Sequence, residues 1–475
     1  MNGTREIQQE GFTGGEHRFS SARVTGDQRF DLASLPWLRS LIASRWSIFL
    51  ARTISLSGFL LTILVGLFGT PVGSHNFAII FVWIAWWTAL KLAFIPLGGR
   101  SWCSICPLPI PGEWLQQGGL ISKARRRSGL GLRWPKRLRG YWLQASLFLL
   151  IGLFSAVILT NARITAWILL GLIGLAVVLS LVFERRAFCS YVCPIGGFSG
   201  IYAQTAPLEV RVKDKATCAN HSEKTCYIEC PWGLYPLALR DSSACGLCLE
   251  CLRVCPKNNI ALNIRPFGSD LGAARNSSRL DEVFLALTML GSALAFSAVF
   301  TGPWGALKTA AFQIGSIEWL VYASVFLALN LLILPGSFVL AAGLGRKLAH
   351  RRIPLRQAIA NQAQALLPLG LFTWIAFTIS FAFPKFAYIF SVLSDPFGWG
   401  WNLFGTANMA WTLGDSGLVL ILQVAALLIG LFWSTSLSLN LSSADRPRTG
   451  GWRQSIAVIA FCLVYTLIML WLLVG

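Results

Sequence analysis

Residues 218–256 read CANHSEKTCYIECPWGLYPLALRDSSACGLCLECLRVCP. The second half sets Cys245, Cys248, Cys251 and Cys255 at C-x2-C-x2-C-x3-C-P, the bacterial spacing for a [4Fe–4S] cluster. In two-cluster proteins the fourth cysteine of this run ligates the other cluster, so a second set of ligands is expected upstream. Cys226-x3-Cys230-Pro231 repeats the tail of the motif. Cys230 therefore goes with Cys245, Cys248 and Cys251, and Cys255 joins Cys226 and Cys218. The second set is one cysteine short: the position three residues after Cys218 holds His221. Histidine ligation or a ligand from elsewhere would complete it, a [3Fe–4S] cluster would need no fourth ligand, and the plainer reading of His221 is a solvated loop residue. A zinc or disulfide framework fits poorly with an unbroken four-cysteine run ending in proline.

Around this stretch the chain is apolar. Of 475 residues 55% are hydrophobic and only 13% charged, with a mean hydropathy of +0.61, which excludes an ordinary soluble protein. Runs long enough to cross about 30 Å of hydrocarbon are expected at 46–69, 77–98, 143–162, 163–183, 284–302, 317–343, 364–390, 414–438 and 453–474, nine helices in all. Residues 1–45 form a polar tail with no apolar run behind a charged start, so no signal peptide is read there.

The formal charge of +20 would point to nucleic acid in a soluble protein, but here it is concentrated in alternate loops. Loop 100–142 carries nine Lys and Arg (Arg100, Lys123, Arg125, Arg126, Arg127, Arg133, Lys136, Arg137, Arg139), loop 344–363 carries five and loop 439–453 three. The intervening loops carry none, Arg163, Lys308 and Lys385. Positive loops stay inside, which puts the N-terminus and the cysteine-rich stretch in the cytoplasm and the C-terminus outside. The excess is thus membrane topology, with a secondary attraction to anionic lipid, and no nucleic-acid partner is expected. A reducing compartment also keeps the cysteines as ligands.

Two further cysteine pairs end hydrophobic helices: Arg100-Ser-Trp-Cys103-Ser-Ile-Cys106-Pro107 and Arg186-Ala-Phe-Cys189-Ser-Tyr-Val-Cys193-Pro194. Each follows two apolar runs, so a two-helix unit is read as duplicated. Cys103, Cys106, Cys189 and Cys193 could together ligate a metal or cluster, complete the second cluster, or form a redox dithiol. The plainer reading is that Cys-Pro turns the chain while Arg100 and Arg186 snorkel to the interface.

On these residues the chain resembles the NapH/MauN/NosR group of polytopic iron–sulfur membrane proteins over about 46–265. The resemblance implies electron transfer between the quinone pool and a redox partner, with iron–sulfur clusters as relays. It departs from the group in three ways: the first pair is Cys-x2-Cys, the upstream motif lacks a cysteine, and no extracytoplasmic flavin-binding domain is read before the first helix.

The expected fold is an all-α polytopic membrane protein with an inserted α+β ferredoxin-like domain: a tail at 1–45, a four-helix unit at 46–204, the two-cluster domain at 205–265 and a five-helix unit at 280–475. The expected location is the cell membrane, with the ferredoxin-like domain inside and a quinone as candidate substrate. All four histidines lie outside helix interiors, so a bis-histidine haem is not expected. Arg52, Lys91 and Asn330 are the polar residues within spans, and Lys91 is the quinone-site candidate among them. Trp399 to Phe404 reads as an interfacial aromatic belt, and Cys462 as a small buried hydrophobe. Two other uses of the same parts are reduction of copper or thiols at the paired cysteines, in a metalloenzyme assembly role, and a transporter with a regulatory cluster domain. The second lacks the midplane carboxylates it would need.

Overall fold

The computed structural model describes residues 29–117, 129–272, 279–302, 304–350, 352–409, 416–444 and 452–474. Lys123, Arg125, Arg126, Arg127, Arg351, Arg446 and Arg448 of the basic loops, and the first 28 residues of the tail, lie outside them.

Among the described residues eight helices are long and apolar enough to cross a membrane: Arg45–Phe68, Phe77–Gly98, Ala162–Val182, Leu280–Phe300, Ile317–Leu348, Leu355–Lys385, Gly417–Ser443 and Trp452–Val474. The ninth expected span, 143–162, is broken. Trp142–Leu153 is a helix of 12 residues, about 18 Å at 1.5 Å per residue and too short to cross alone. The break is at Phe154, whose N–H closes a tight turn on the Gly152 carbonyl before the short helix Ser155–Ile158. Composition alone does not register this local change of hydrogen-bond partner.

Several spans are irregular inside. Phe77–Gly98 contains two π-helical stretches, Ile80–Trp86 and Leu90–Phe94, and Ile317–Leu348 contains a third at Leu329–Ile333. Such stretches rotate the side chains beyond them and recur at functional sites. Asn330 in the third bonds the Phe326 carbonyl at 2.9 Å and lies against Gly291, where a Cβ would come within 2.4 Å of its Oδ1. This in-span amide is therefore a packing residue.

Leu280–Phe300 and Leu355–Lys385 form the centre of the bundle, and an aromatic seam joins the two halves of the chain. Trp374 meets Phe148, Phe198, Phe296 and Phe377 at ring-centroid distances of 5.4–6.1 Å. The C-terminal helices are tied by small polar side chains: Gln362 donates to Ser442 at 2.8 Å, Ser438 to Gln362 at 2.7 Å, and the Ser442 and Ser455 hydroxyls meet at 2.7 Å. Between helices in hydrocarbon, such bonds supply attraction that apolar surface does not.

The cysteine-rich segment folds into a small domain on a three-stranded antiparallel sheet of order β1 (Phe30–Asp31), β3 (Ile260–Ile264), β2 (Leu208–Val212). Val210 pairs with Leu262 and Val212 with Ile260. Part of the expected N-terminal tail belongs here: β1 pairs with β3, and Ala33 is buried with Val210, Leu252 and Leu262. The sheet edge is closed by a buried ion network in which Arg265 meets Glu209 at 2.7 Å and Asp270 at 2.6 Å, and Arg211 meets both acids at 3.2 Å.

Candidate iron–sulfur and paired-cysteine site

The run from Cys245 to Cys255 follows a backbone that few sequences adopt. Leu247 and Leu249 take positive φ of 48° and 59°, a left-handed conformation costing non-glycine residues about 1–3 kcal/mol each. Such strain persists where the surroundings demand it; here it turns the loop tightly between Cys245, Cys248 and Cys251. Gly246 has a separate reason to be glycine, since a Cβ there would come within 2.1 Å of the Trp232 Nε1.

The cysteines gather as follows. Cys230 lies within electrostatic reach of Cys245, Cys248 and Cys251, while Cys226 neighbours Cys218 and Cys255. Cys251 also feels Cys226, so the two sets adjoin. Cys103, Cys106, Cys189 and Cys193 form a third set in mutual reach. Among the described residues no three His, Cys, Asp or Glu side chains close around one ion position.

Electrostatics fit a cationic core. Burial pushes the Cys248 thiol up to about 12, with Cys230 adding to the shift. Cys193 rises to about 12, again through burial first, partly offset by the Gly196 N–H. Cys245, Cys251, Cys106 and Cys189 are raised too, each chiefly by burial. Thiolates are the ligand form, so a bound positive core would convert these groups and release protons. Backbone donors are already placed at the cysteines that precede prolines. The N–H groups of Gly196, Leu234 and Asn259 reach the sulfurs of Cys193, Cys230 and Cys255 at 3.3–3.4 Å, and the Leu108 amide plays the same part at Cys106. Hydrogen bonds to sulfur are one means by which a protein sets a cluster's potential.

His221 has a buried Nδ1 with no hydrogen-bond partner, an orphaned acceptor or ligand atom on the loop that carries Cys218. Tyr235 lies beside that cysteine, its hydroxyl 3.6 Å from the sulfur.

The arginines of the duplicated motif do not snorkel. Arg100 and Arg186 are both 3% exposed, and each holds the other unit. Arg186 donates to the Cys103 carbonyl at 2.5 Å and Arg100 to the Cys189 carbonyl at 3.3 Å. Gln144 adds a bond to Cys189 at 3.1 Å. Glu113 grips Arg186 through both carboxylate oxygens and lies 3.7 Å from Arg52, whose Nε bonds the Ser104 carbonyl at 3.0 Å. Arg52 is thus part of this frame.

Trp232, two residues after Cys230, stacks under both arginines, 4.3 Å from Arg100 and 5.5 Å from Arg186. The Arg186 N–H also bonds the Pro231 carbonyl at 2.9 Å. Glu113 and Trp232 were not singled out by sequence reasoning, although Glu113 is the sole carboxylate between residues 32 and 183. A lone acid among apolar helices rich in arginine was the signal for it.

Lys91 is 1% exposed and does not reach an interface. Cys462 is buried within Trp452–Val474. Phe397 stacks on Trp399, and Trp401 meets both rings edge-on, with Trp399 and Trp401 exposed.

A family model described as a 4Fe-4S binding domain matches residues 79–128 and 165–211, the two segments that carry the paired cysteines. The chain is 26% identical over 164 residues to the methylamine utilization ferredoxin-type protein MauN of Paracoccus denitrificans, covering 30% of this chain and 52% of that protein. It is 28% identical over 145 residues to MauN of Methylorubrum extorquens, covering 28% and 48%. An uncharacterized protein of Methanocaldococcus jannaschii is 24% identical over 219 residues, covering 46% and 84%. The chain thus spans about half the length of the MauN relatives it matches. No solved structure matches it. With its paired Cys-Pro motifs and adjoining cysteine-rich domain, the chain is similar to the NapH/MauN-like 4Fe–4S proteins, a likeness that the 4Fe-4S binding-domain match and the MauN relatives support.

Proposed function

We propose that this protein is a multi-pass electron-transfer component of the cell membrane, relaying electrons between the quinone pool and a redox partner protein, with the small domain on the cytoplasmic side. The observation that carries the reading is Trp232. It follows Cys230 of one cysteine set and is clamped by the two arginines that hold the paired-cysteine set, so the sets are mechanically and electrostatically one unit. The loop asymmetry of Lys and Arg supports the sidedness when Trp142–Leu153 and Ser155–Ile158 together complete one crossing.

In this reading Cys245, Cys248, Cys251 and Cys230 would hold one [4Fe–4S] cluster, and Cys218, Cys226, Cys255 and His221 a second. When bound, such clusters accept and release single electrons. The chain's own part is to ligate, to exclude water and to direct N–H donors and arginine charge at the sulfurs. A quinol gives up two electrons and two protons; two one-electron sites match the electrons, and the protons pass to water.

The test is anaerobic purification in detergent with iron and acid-labile sulfide analysis, then EPR after dithionite and after quinol. Two interacting [4Fe–4S] signals populated by quinol are expected. A single cluster, or two that dithionite reduces and quinol never does, overturns the relay.

The convergence of four buried cysteines from two units supports a second reading, reduction of copper or of a thiol partner at Cys103, Cys106, Cys189 and Cys193. That function predicts Cu(I) binding lost on substitution of these four by serine. A relay instead retains quinol-dependent reduction of the small domain without binding copper.

A further inference from the structure

An apolar cleft runs between the duplicated unit and the C-terminal helices. Trp83, Trp86 and Trp87 form one wall, with Phe148, Phe296 and Phe377 opposite, and none of its lining residues is charged. The three tryptophans stand at i, i+3 and i+4, one face of the helix, and Lys91 continues that face four residues after Trp87.

Four features distinguish this cleft from ordinary packing space. The Trp86 Nε1 in its wall is buried without a hydrogen-bond partner. Immediately behind the wall the Lys91 ammonium is also without one. It faces three rings, 5.2 Å from Trp87, 5.0 Å from Trp374 and 5.2 Å from Phe377, and no carboxylate among the described residues pairs with it. One end of the cleft is Pro194 and Ile195, the residues directly after Cys193. Toward the outside it is bordered by Ile151, Ile168 and Leu172, all part-exposed, so an occupant can come from the lipid phase.

An occupant must therefore be apolar and flat enough for an aromatic slot, carry hydrogen-bond acceptors for the Trp86 N–H, and tolerate or favour a nearby cation. It would sit beside Cys193. We infer that this cleft is the binding site of an isoprenoid quinone, with the Trp86 N–H of its wall as donor to a ring oxygen and Lys91 held behind the Trp87 and Phe377 rings. An intramembrane lysine with no carboxylate partner marks a functional site by default, and the aromatic cage supplies only part of what its amino group lacks. An electron-rich ring oxygen supplies more. The inference rests on the quinone reading above but names its site, and the two can fail separately.

The experiment uses the full chain in detergent with an azidoquinone as photolabel, followed by peptide mapping, alongside initial rates of decylquinol-driven reduction. Variants are Lys91→Met, which removes the cation, and Leu169→Phe, which fills the cleft from a lining position. The dithionite-reduced EPR signal of each variant controls for folding. Label on residues 77–98 of the wild type, competed by unlabelled quinone, is expected. Each variant should lose quinol-driven reduction at least about tenfold, the size of one hydrogen bond to a charged group, with its dithionite signal intact. Label elsewhere, label displaced equally by a saturated lipid, or variants with wild-type dependence on quinol each overturn the site. A wild type that binds the label here but is never reduced by quinol overturns the relay and leaves the site standing.

Discussion

Replacing Glu113 by glutamine tests the frame on which the paired cysteines hang. Glu113 is 5% exposed, and its partner Arg186 is 3% exposed and chelated through both carboxylate oxygens. The side chains are 6% and 1% exposed, so solvent screening gives little relief. Removing one partner of such a pair leaves an uncompensated buried charge and costs about 3–5 kcal/mol, a large share of the 5–15 kcal/mol that typically separates folded from unfolded protein. Glutamine keeps the size and one acceptor oxygen, which isolates the charge. The assay is the fraction remaining monodisperse after heating in detergent, for Glu113→Gln, Arg186→Met and the double variant. The single variants should both be strongly destabilised. The double variant should recover at least half the loss, because it removes the more buried ion of the frame and leaves only Arg52, 14% exposed and still bonded to the Ser104 carbonyl, without its carboxylate. Behaviour of Glu113→Gln within about 0.5 kcal/mol of wild type, the range of an indifferent surface substitution, would refute the reasoning, as would a double variant whose losses simply add.

Three further outcomes follow from the geometry. Gly246→Ala places a methyl 2.1 Å from the Trp232 Nε1, so the indole must leave its place under the arginines. Quinol-driven reduction of the small domain should slow while dithionite reduction survives, and unchanged quinol kinetics would remove Trp232 from the coupling. His221→Ala should alter or abolish one of two cluster signals and spare the other; two unaltered signals exclude His221 as a ligand. Asp214 caps the helix Lys215–Ala219 that bears Cys218, accepting from the Ala216 and Thr217 amides at 3.0 and 2.8 Å. Those bonds, with the Thr217 hydroxyl first, hold its carboxyl below the ordinary 3.8. The cap's contribution is therefore complete above that value and lost as the pH falls through the lower folded one. Asp214→Ala should lose the acid step in cluster retention, measured by iron release against pH, and an identical profile in the variant would contradict the cap.

Much of the fold was legible because hydrophobic length is a one-dimensional property. Eight of the expected spans coincide with helices to within a few residues at most ends, Arg45–Phe68 for 46–69 and Trp452–Val474 for 453–474 among them. The failure at 143–162 came from a turn at Phe154, where every side chain is still apolar. Part of the N-terminal tail was misassigned for a related reason. Phe30 and Asp31 carry no long pattern, and only pairing with β3, more than 230 residues away, makes them a strand.

The cysteine spacing and the duplicated Arg-x2-Cys motifs could be read directly, since ligand geometry and gene duplication both leave fixed intervals in a chain. Spacing did not reveal the reciprocity of the two arginines. From sequence, Arg100 and Arg186 at helix ends are equally good snorkelling residues; burial against each other's cysteine carbonyls decides otherwise. Glu113 and Trp232 matter only through partners tens of residues away.

By itself the sequence determined that this is a multi-span membrane protein with iron–sulfur ligand spacing, because apolar length and local cysteine intervals act within one segment. The tertiary structure decided which segments converge: Cys103, Cys106, Cys189 and Cys193 in one set, Trp232 beneath two arginines, and Lys91 in a cage completed by Trp374 and Phe377 of a distant helix. Those contacts arise from how helices and a small sheet pack against one another. Packing is a relation between surfaces, so no interval along the chain records it.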